Sequence, residues 1–191
     1  MTARLNGPVR PETESAKEAL TARLFAEPDA LVYALLDGAS VKGLRERLHK
    51  DQPEHVCLYR GELKPDIAEV APYLVRLSKG SPFTDWVLSQ GWGKHWGLFA
   101  HAEEDLKAMR QHFRRLLTVH DSNGKPLLFR FYDPRVLRTY LPACNAKELQ
   151  EVFGPVTEFA LEAEDPTKML RFKLSGGALA EQAENLTKPR T

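Results

Sequence analysis

The chain has 191 residues, 42% of them apolar, which is enough for one solid core. Its 27 Lys and Arg against 26 Asp and Glu leave a formal charge of +1, which excludes the broad positive field of a general nucleic-acid binder. Two cysteines, Cys57 and Cys144, are too few for a disulfide framework and stand at no metal-ligand spacing, and no stretch reads as a signal peptide or a membrane span.

Residues 1–12 are polar, contain Pro8 and Pro11, and read as a flexible leader. The pattern then turns helical from Glu12 to Glu27, with Ala16, Leu20, Leu24 and Phe25 on one face, and Pro28 ends it. Leu31 to Leu36 is a continuous apolar run closed by Asp37 and Gly38, the mark of a strand buried on both sides and followed by a turn. Val41, Leu44 and Leu48 recur at helical spacing, and Val56 to Tyr59 supplies a second short strand. The opening therefore reads as a βαβ-like unit.

Tyr73 to Leu77 is expected as a third strand. Ser81 and Pro82 start a helix through a hydroxyl cap and a first-turn proline, with Trp86, Val87 and Leu88 inside it. Gly91 and Gly93 break that helix, and His95 to Ala100 reads as a strand. Ala102 to Leu117 carries the strongest helical period, with Glu103, Glu104 and Asp105 in its first turn and Arg110, Arg114 and Arg115 toward its end, as the helix dipole favours.

Asn123 and Gly124 mark a hairpin turn between Leu117 to His120 and Pro126 to Tyr132, with Arg130 on a partly covered sheet face. Asp133 and Pro134 cap a short helix through Leu141, and Asn145 to Phe153 is another. Thr157 to Ala163 and Met169 to Leu174 form a strand pair across Asp165 and Pro166. Residues 175–191 read as a flexible tail. The expected architecture is a mixed α+β fold over residues 13–174, a single domain with a central mixed sheet flanked by helices.

All three tryptophans, Trp86, Trp92 and Trp96, fall within eleven residues, so they form either a packed corner or a recognition surface. The flanking glycines and the nearby strand favour the packed corner. Asp37, Asp66 and Asp133 near strand ends suggest a metal-dependent hydrolase or nuclease as one alternative. The simpler reading is a turn for Asp37 and a helix cap for Asp133. None of the six histidines has the spacing of a helical metal pair, and His112 is expected on the flank of its helix. There is no nucleophile elbow, phosphate loop or cysteine–histidine motif, so neither catalytic residues nor cofactors are expected. Arg130 between aromatic neighbours needs a carboxylate, which Asp37 or Asp133 can supply.

Five stretches occur in a telling order: Tyr33 to Ala39, Leu58 to Gly61, Ala71 to Val75, Gly91 to Gly97, and Phe129 to Leu137. Together they resemble the type VI secretion effector adaptor family, the Tap or Tec chaperones long labelled only as a domain of unknown function. The similarity runs from about Leu31 to Phe159. It implies a cytoplasmic bacterial protein that binds a toxic effector and helps load it onto the VgrG spike, without being an enzyme and without nucleic-acid or membrane partners. On that reading Asp37, Trp92, Trp96, Arg130, Phe131, Tyr132 and Asp133 form the scaffold. Arg110, Arg114, Arg135 and Arg138 are the candidate partner contacts.

Overall fold

The computed structural model describes residues 11–120 and 123–186. Seven strands form one sheet: β1 (Leu31–Asp37), β2 (His55–Cys57), β3 (Pro72–Leu77), β4 (Gly97–Ala102), β7 (Val156–Glu162), β8 (Lys168–Ser175) and β9 (Ala178–Asn185), ordered β2-β3-β1-β4-β7-β8-β9. A separate two-stranded hairpin pairs β5 (Thr118–His120) with β6 (Pro126–Leu128). The fold is mixed α+β, and every strand pairing in it is antiparallel.

That pairing corrects the expected mixed sheet and its βαβ-like opening. β1 and β2 run in the same direction, but β3 lies between them and pairs with both. The crossover through α2 (Leu44–Asp51) is therefore split by an inserted strand.

Helices cover both faces of the sheet. On one face α1 (Pro11–Leu24), α2 and α4 (Pro82–Gly91) bring Leu20, Leu24, Leu44, Leu48, Phe83 and Val87 against Val32, Ala34 and Leu36 of β1. On the other, α5 (Leu106–Leu116), α6 (Pro134–Tyr140) and α7 (Ala146–Phe153) bring Met109, Phe113, Leu137 and Phe153 against Tyr33 and Leu35. The period-two alternation of β1 serves two cores at once, which is why its sequence is apolar throughout. Phe113 stacks on Phe131 at 5.6 Å, and aromatic pairs of this kind contribute roughly 0.5–1.5 kcal/mol each beyond their buried area.

Several boundaries differ from expectation for identifiable reasons. α5 begins at Leu106 rather than Ala102 because the Asp105 carboxylate caps it, accepting from the Ala108 amide at 2.8 Å, and because 97–102 is paired strand. Glu103 and Glu104 consequently precede the helix. β4 starts at Gly97 rather than His95, whose backbone is left-handed with φ 56°. A further helix, α3 (Pro65–Val70), lies between β2 and β3. β6 stops at Leu128, so Arg130 does not lie on a strand.

The expected tail is also corrected, because residues 178–185 form β9, paired along its whole length with β8. The expected leader lies outside the described residues, except that α1 opens at Pro11. No helix among the described residues is long and apolar enough to cross a membrane.

His112 is buried rather than on a helix flank. Its Nε2 lies 2.9 Å from the Val152 carbonyl, and its ring fills the space above Gly154, where a Cβ would approach Cε1 to 2.5 Å. Burial holds the imidazole below its ordinary pKa, so the folded protein resists a proton that the unfolded chain accepts. Stability is therefore complete above about pH 6.5 and declines as pH falls below it. Urea unfolding between pH 8 and pH 5 is expected to show that decline, and His112→Gln to flatten it.

Candidate functional site: the acid and arginine end of the sheet

β1 and β7 end, and β3, β4 and β8 begin, at the same edge of the sheet. This edge gathers Asp37, the Gly91 to Gly97 segment, the Arg130 to Arg135 segment and Glu162. Asp37 closes β1 and is only 1% exposed. Its amide donates to the Trp96 carbonyl at 2.8 Å. Its carboxylate accepts from the Ala39 amide at 3.1 Å, from the Ser40 hydroxyl at 2.8 Å, and from Arg130 Nη2 at 2.6 Å.

The Arg130 side chain is 44% exposed and lies over the Tyr132 ring at 5.9 Å. Partial burial pulls the guanidinium pKa down, but the charge and hydrogen bond of Asp37 outweigh this and hold it above its ordinary value. The following residues point inward: Phe131 is fully buried, and burial raises the Tyr132 phenol. Asp133 then caps α6, accepting from the Arg135 amide at 3.0 Å and from Arg135 Nε and Nη2 at 3.0 and 2.7 Å. Burial pushes the Asp133 carboxyl up, yet the Arg135 contacts prevail and keep it below the usual range.

Glu162, at the end of β7, holds the tryptophan segment. Its carboxylate accepts from the Gly93 amide at 2.6 Å and the His95 amide at 3.1 Å, and it contacts His95 Nδ1. Trp92 donates to the Pro166 carbonyl at 2.7 Å and stacks on Phe99, while Trp96 packs against Trp86 at 4.8 Å. Gly91 and Gly97 are required here by space. A Cβ would meet the Trp96 ring at 2.6 Å in the first case and the Leu35 carbonyl at 1.9 Å in the second.

Of the residues singled out in the sequence, Asp37 joins Arg130, and Asp133 joins Arg135. Asp66 stands apart on the exposed first turn of α3. Among the described residues no group of three or more His, Cys, Asp or Glu side chains could hold a metal ion. The hydrolase alternative therefore lacks its carboxylate cluster, because two of its acids are each committed to an arginine.

Arg114 is spent inside the fold as well, donating to the Cys57, Leu58 and Tyr59 carbonyls at 2.9, 3.1 and 3.0 Å. Burial, with Arg110 and Arg60 nearby, lowers its pKa. Arg110 and Arg138 each keep one buried guanidinium nitrogen without a hydrogen-bond partner.

Sequence reasoning missed Glu162 and a second acidic centre, Glu158. The latter is buried and meets Arg171 at 2.7 Å and Lys173 at 3.0 Å, with His101 Nδ1 at 3.4 Å. Both acids sit on β7, and nothing in its sequence reveals which amide or cation each faces.

The Asp37 and Arg130 pair is open to a double-mutant cycle. Arg130→Ala is expected to cost about 2 kcal/mol, Asp37→Ala about 3, and the double variant about 3–4, leaving a coupling of about 1–2 kcal/mol in urea unfolding. A coupling near zero would remove the pair from the scaffold.

No curated protein and no solved structure matches this chain. A family model described as a domain of unknown function (DUF4123) matches residues 32–151, from β1 into α7 and across both arginine–aspartate pairs. The match covers more than half of the chain, which therefore belongs to the DUF4123 family.

Proposed function

We propose that this protein is an adaptor that binds a type VI secretion effector and promotes its loading onto the VgrG spike, acting as a binding protein in the cytoplasm and not as an enzyme. The observation that carries the reading is the convergence of separate motif stretches on one bonded unit. Residues 33–39, 91–97 and 129–137, distant in sequence, meet through Asp37, Trp96 and Arg130. The partners named in this reading come from the motif resemblance alone, and membership of the DUF4123 family agrees with it.

The chemistry of the site agrees with a scaffold. A carboxylate that serves as a general base or metal ligand needs free lone pairs, and those of Asp37, Asp133 and Glu162 are directed at arginine and amide donors within the fold. Binding is then left to the surface, where aromatic and arginine anchors dominate affinity in most protein interfaces.

The test is pairwise co-purification with the VgrG proteins and candidate type VI effectors of the source bacterium, together with effector secretion from a deletion strain. Retention of at least one partner and loss of secretion are expected. Absence of binding to both, with secretion intact, would overturn the proposal.

A further inference from the structure

The β5–β6 hairpin stands outside the main sheet, and all six of its strand residues are exposed. Isolated two-stranded hairpins are marginally stable in water, so an apolar one facing solvent is an unusual feature. Of the five large aliphatic side chains exposed among the described residues, three lie here, Val119 at 36%, Leu127 at 45% and Leu128 at 55%, and the other two, Ile67 and Val70, are on α3. Val119 and Leu127 are directly opposite across the two strands, so they share one face.

That face continues into the interior. The Phe129 amide donates to the Leu117 carbonyl at 2.9 Å, extending the pairing by one step, and Leu117 is buried while Phe129 is half-buried. Phe129 packs on Tyr140 of α6 at 4.6 Å and on Phe131 at 6.0 Å. The result is an apolar strip that leaves the core between α5 and α6 and runs out along the hairpin.

Charge surrounds it asymmetrically. From Leu106 to Tyr140 the chain carries eight Lys and Arg and two acids, Asp121 and Asp133, whereas the whole chain is only +1. The rest of the chain is thus net acidic, and the positive charge is concentrated on α5, the hairpin and α6. Asp133 is already neutralised by Arg135. Arg115 is exposed just before β5, Lys125 is exposed just before β6, and Arg130 follows the hairpin.

We propose that this strip is a docking surface for an acidic protein segment that carries aliphatic or aromatic anchors. The anchors cover Val119 and Leu127, and the acidic groups face Arg115 and Lys125. The inference rests on the adaptor reading and locates where one of its partners is held. A protein segment suits the surface better than a nucleic acid. The exposed side chains at the centre are aliphatic and offer no stacking platform for bases, and Arg114, Arg130 and Arg135 are partly spent on acceptors within the fold.

The experiment compares the full-length protein with two double variants, Val119→Ser with Leu127→Ser and Arg115→Glu with Lys125→Glu, in titrations against the purified effector and VgrG proteins. All four positions are exposed, and unchanged circular dichroism and thermal midpoints verify folding. Whichever partner the unaltered protein binds, both variants are expected to weaken it at least about tenfold, with affinity falling as salt is raised. Unaltered binding by folded variants would overturn the docking surface and leave the adaptor reading standing. Failure of the unaltered protein to bind either partner would overturn both.

A photo-crosslinking residue at position 127 gives a readout that does not depend on weakening the protein. It is expected to capture the bound partner, and absence of any crosslink within a formed complex counts against the surface. Binding to vesicles of phosphatidylglycerol or to duplex DNA that the same variants abolish, with the protein complexes intact, would reassign the strip to an anionic surface and overturn the proposal.

Discussion

A carboxylate removed from water must be met by donors, and this constraint organises the whole upper edge of the sheet. Asp37, Asp133 and Glu162 are all buried there. Each is answered by groups from a different part of the chain: Arg130 from beyond the hairpin, Arg135 from α6, and the Gly93 and His95 amides from the tryptophan segment. None of these segments is regular strand, and besides packing and single bonds such as the Asp37 amide to the Trp96 carbonyl, it is the acids that hold them. Asp37 and Glu162 convert two loops into fixed parts of the fold, while Asp133 and Arg135 close the first turn of α6. The same logic operates across the sheet, where Glu158 on β7 draws Arg171 and Lys173 of β8 toward it and Arg171 in turn reaches Glu184 of β9.

The division between scaffold and surface follows from this. Arginines that read from sequence as one basic group have separate fates. Arg114 supports the carbonyls at the end of β2 and just beyond it, Arg130 and Arg135 answer acids, and Arg115 remains exposed on the last turn of α5. The tryptophans divide less sharply. Trp92 and Trp96 are half-buried against the core formed with α1, α2 and α4, with Lys94 lying over the Trp96 ring at 5.7 Å. They are held in place by their neighbours and still present part of their surface.

Much of the fold was legible because burial leaves a periodic trace. The unbroken run from Leu31 to Leu36, the cap and proline at Ser81 and Pro82, and the Asp133 and Pro134 pair all announce elements that the structure contains. The need of Arg130 for an acid was also legible, since a cation among aromatics has few other solutions. Directions and partners were not. Strand order depends on contacts between distant segments, so the insertion of β3 between β1 and β2 leaves no local mark. β9 is rich in Ala, Glu and Gln and resembles a solvated tail, because an edge strand need bury only part of one face and draws its hydrogen bonds from β8. Glu162 escaped notice because backbone amides, which every segment possesses, are its principal partners.

The contact between α1 and β9 carries a consequence for how the molecule is made. Arg23 reaches Glu184 at 2.7 Å and the Asn185 carbonyl at 2.5 Å, across a sequence separation of 161 residues for the first of these. Among its described side chains α1 buries Leu20 and Leu24 against the sheet, too little apolar surface to hold a short helix in water by itself. During synthesis this helix emerges long before the strand that completes its seat. Until then its apolar side chains can pack on β1 and α4, and the Arg23 contacts with β9 are the last of its anchors to form.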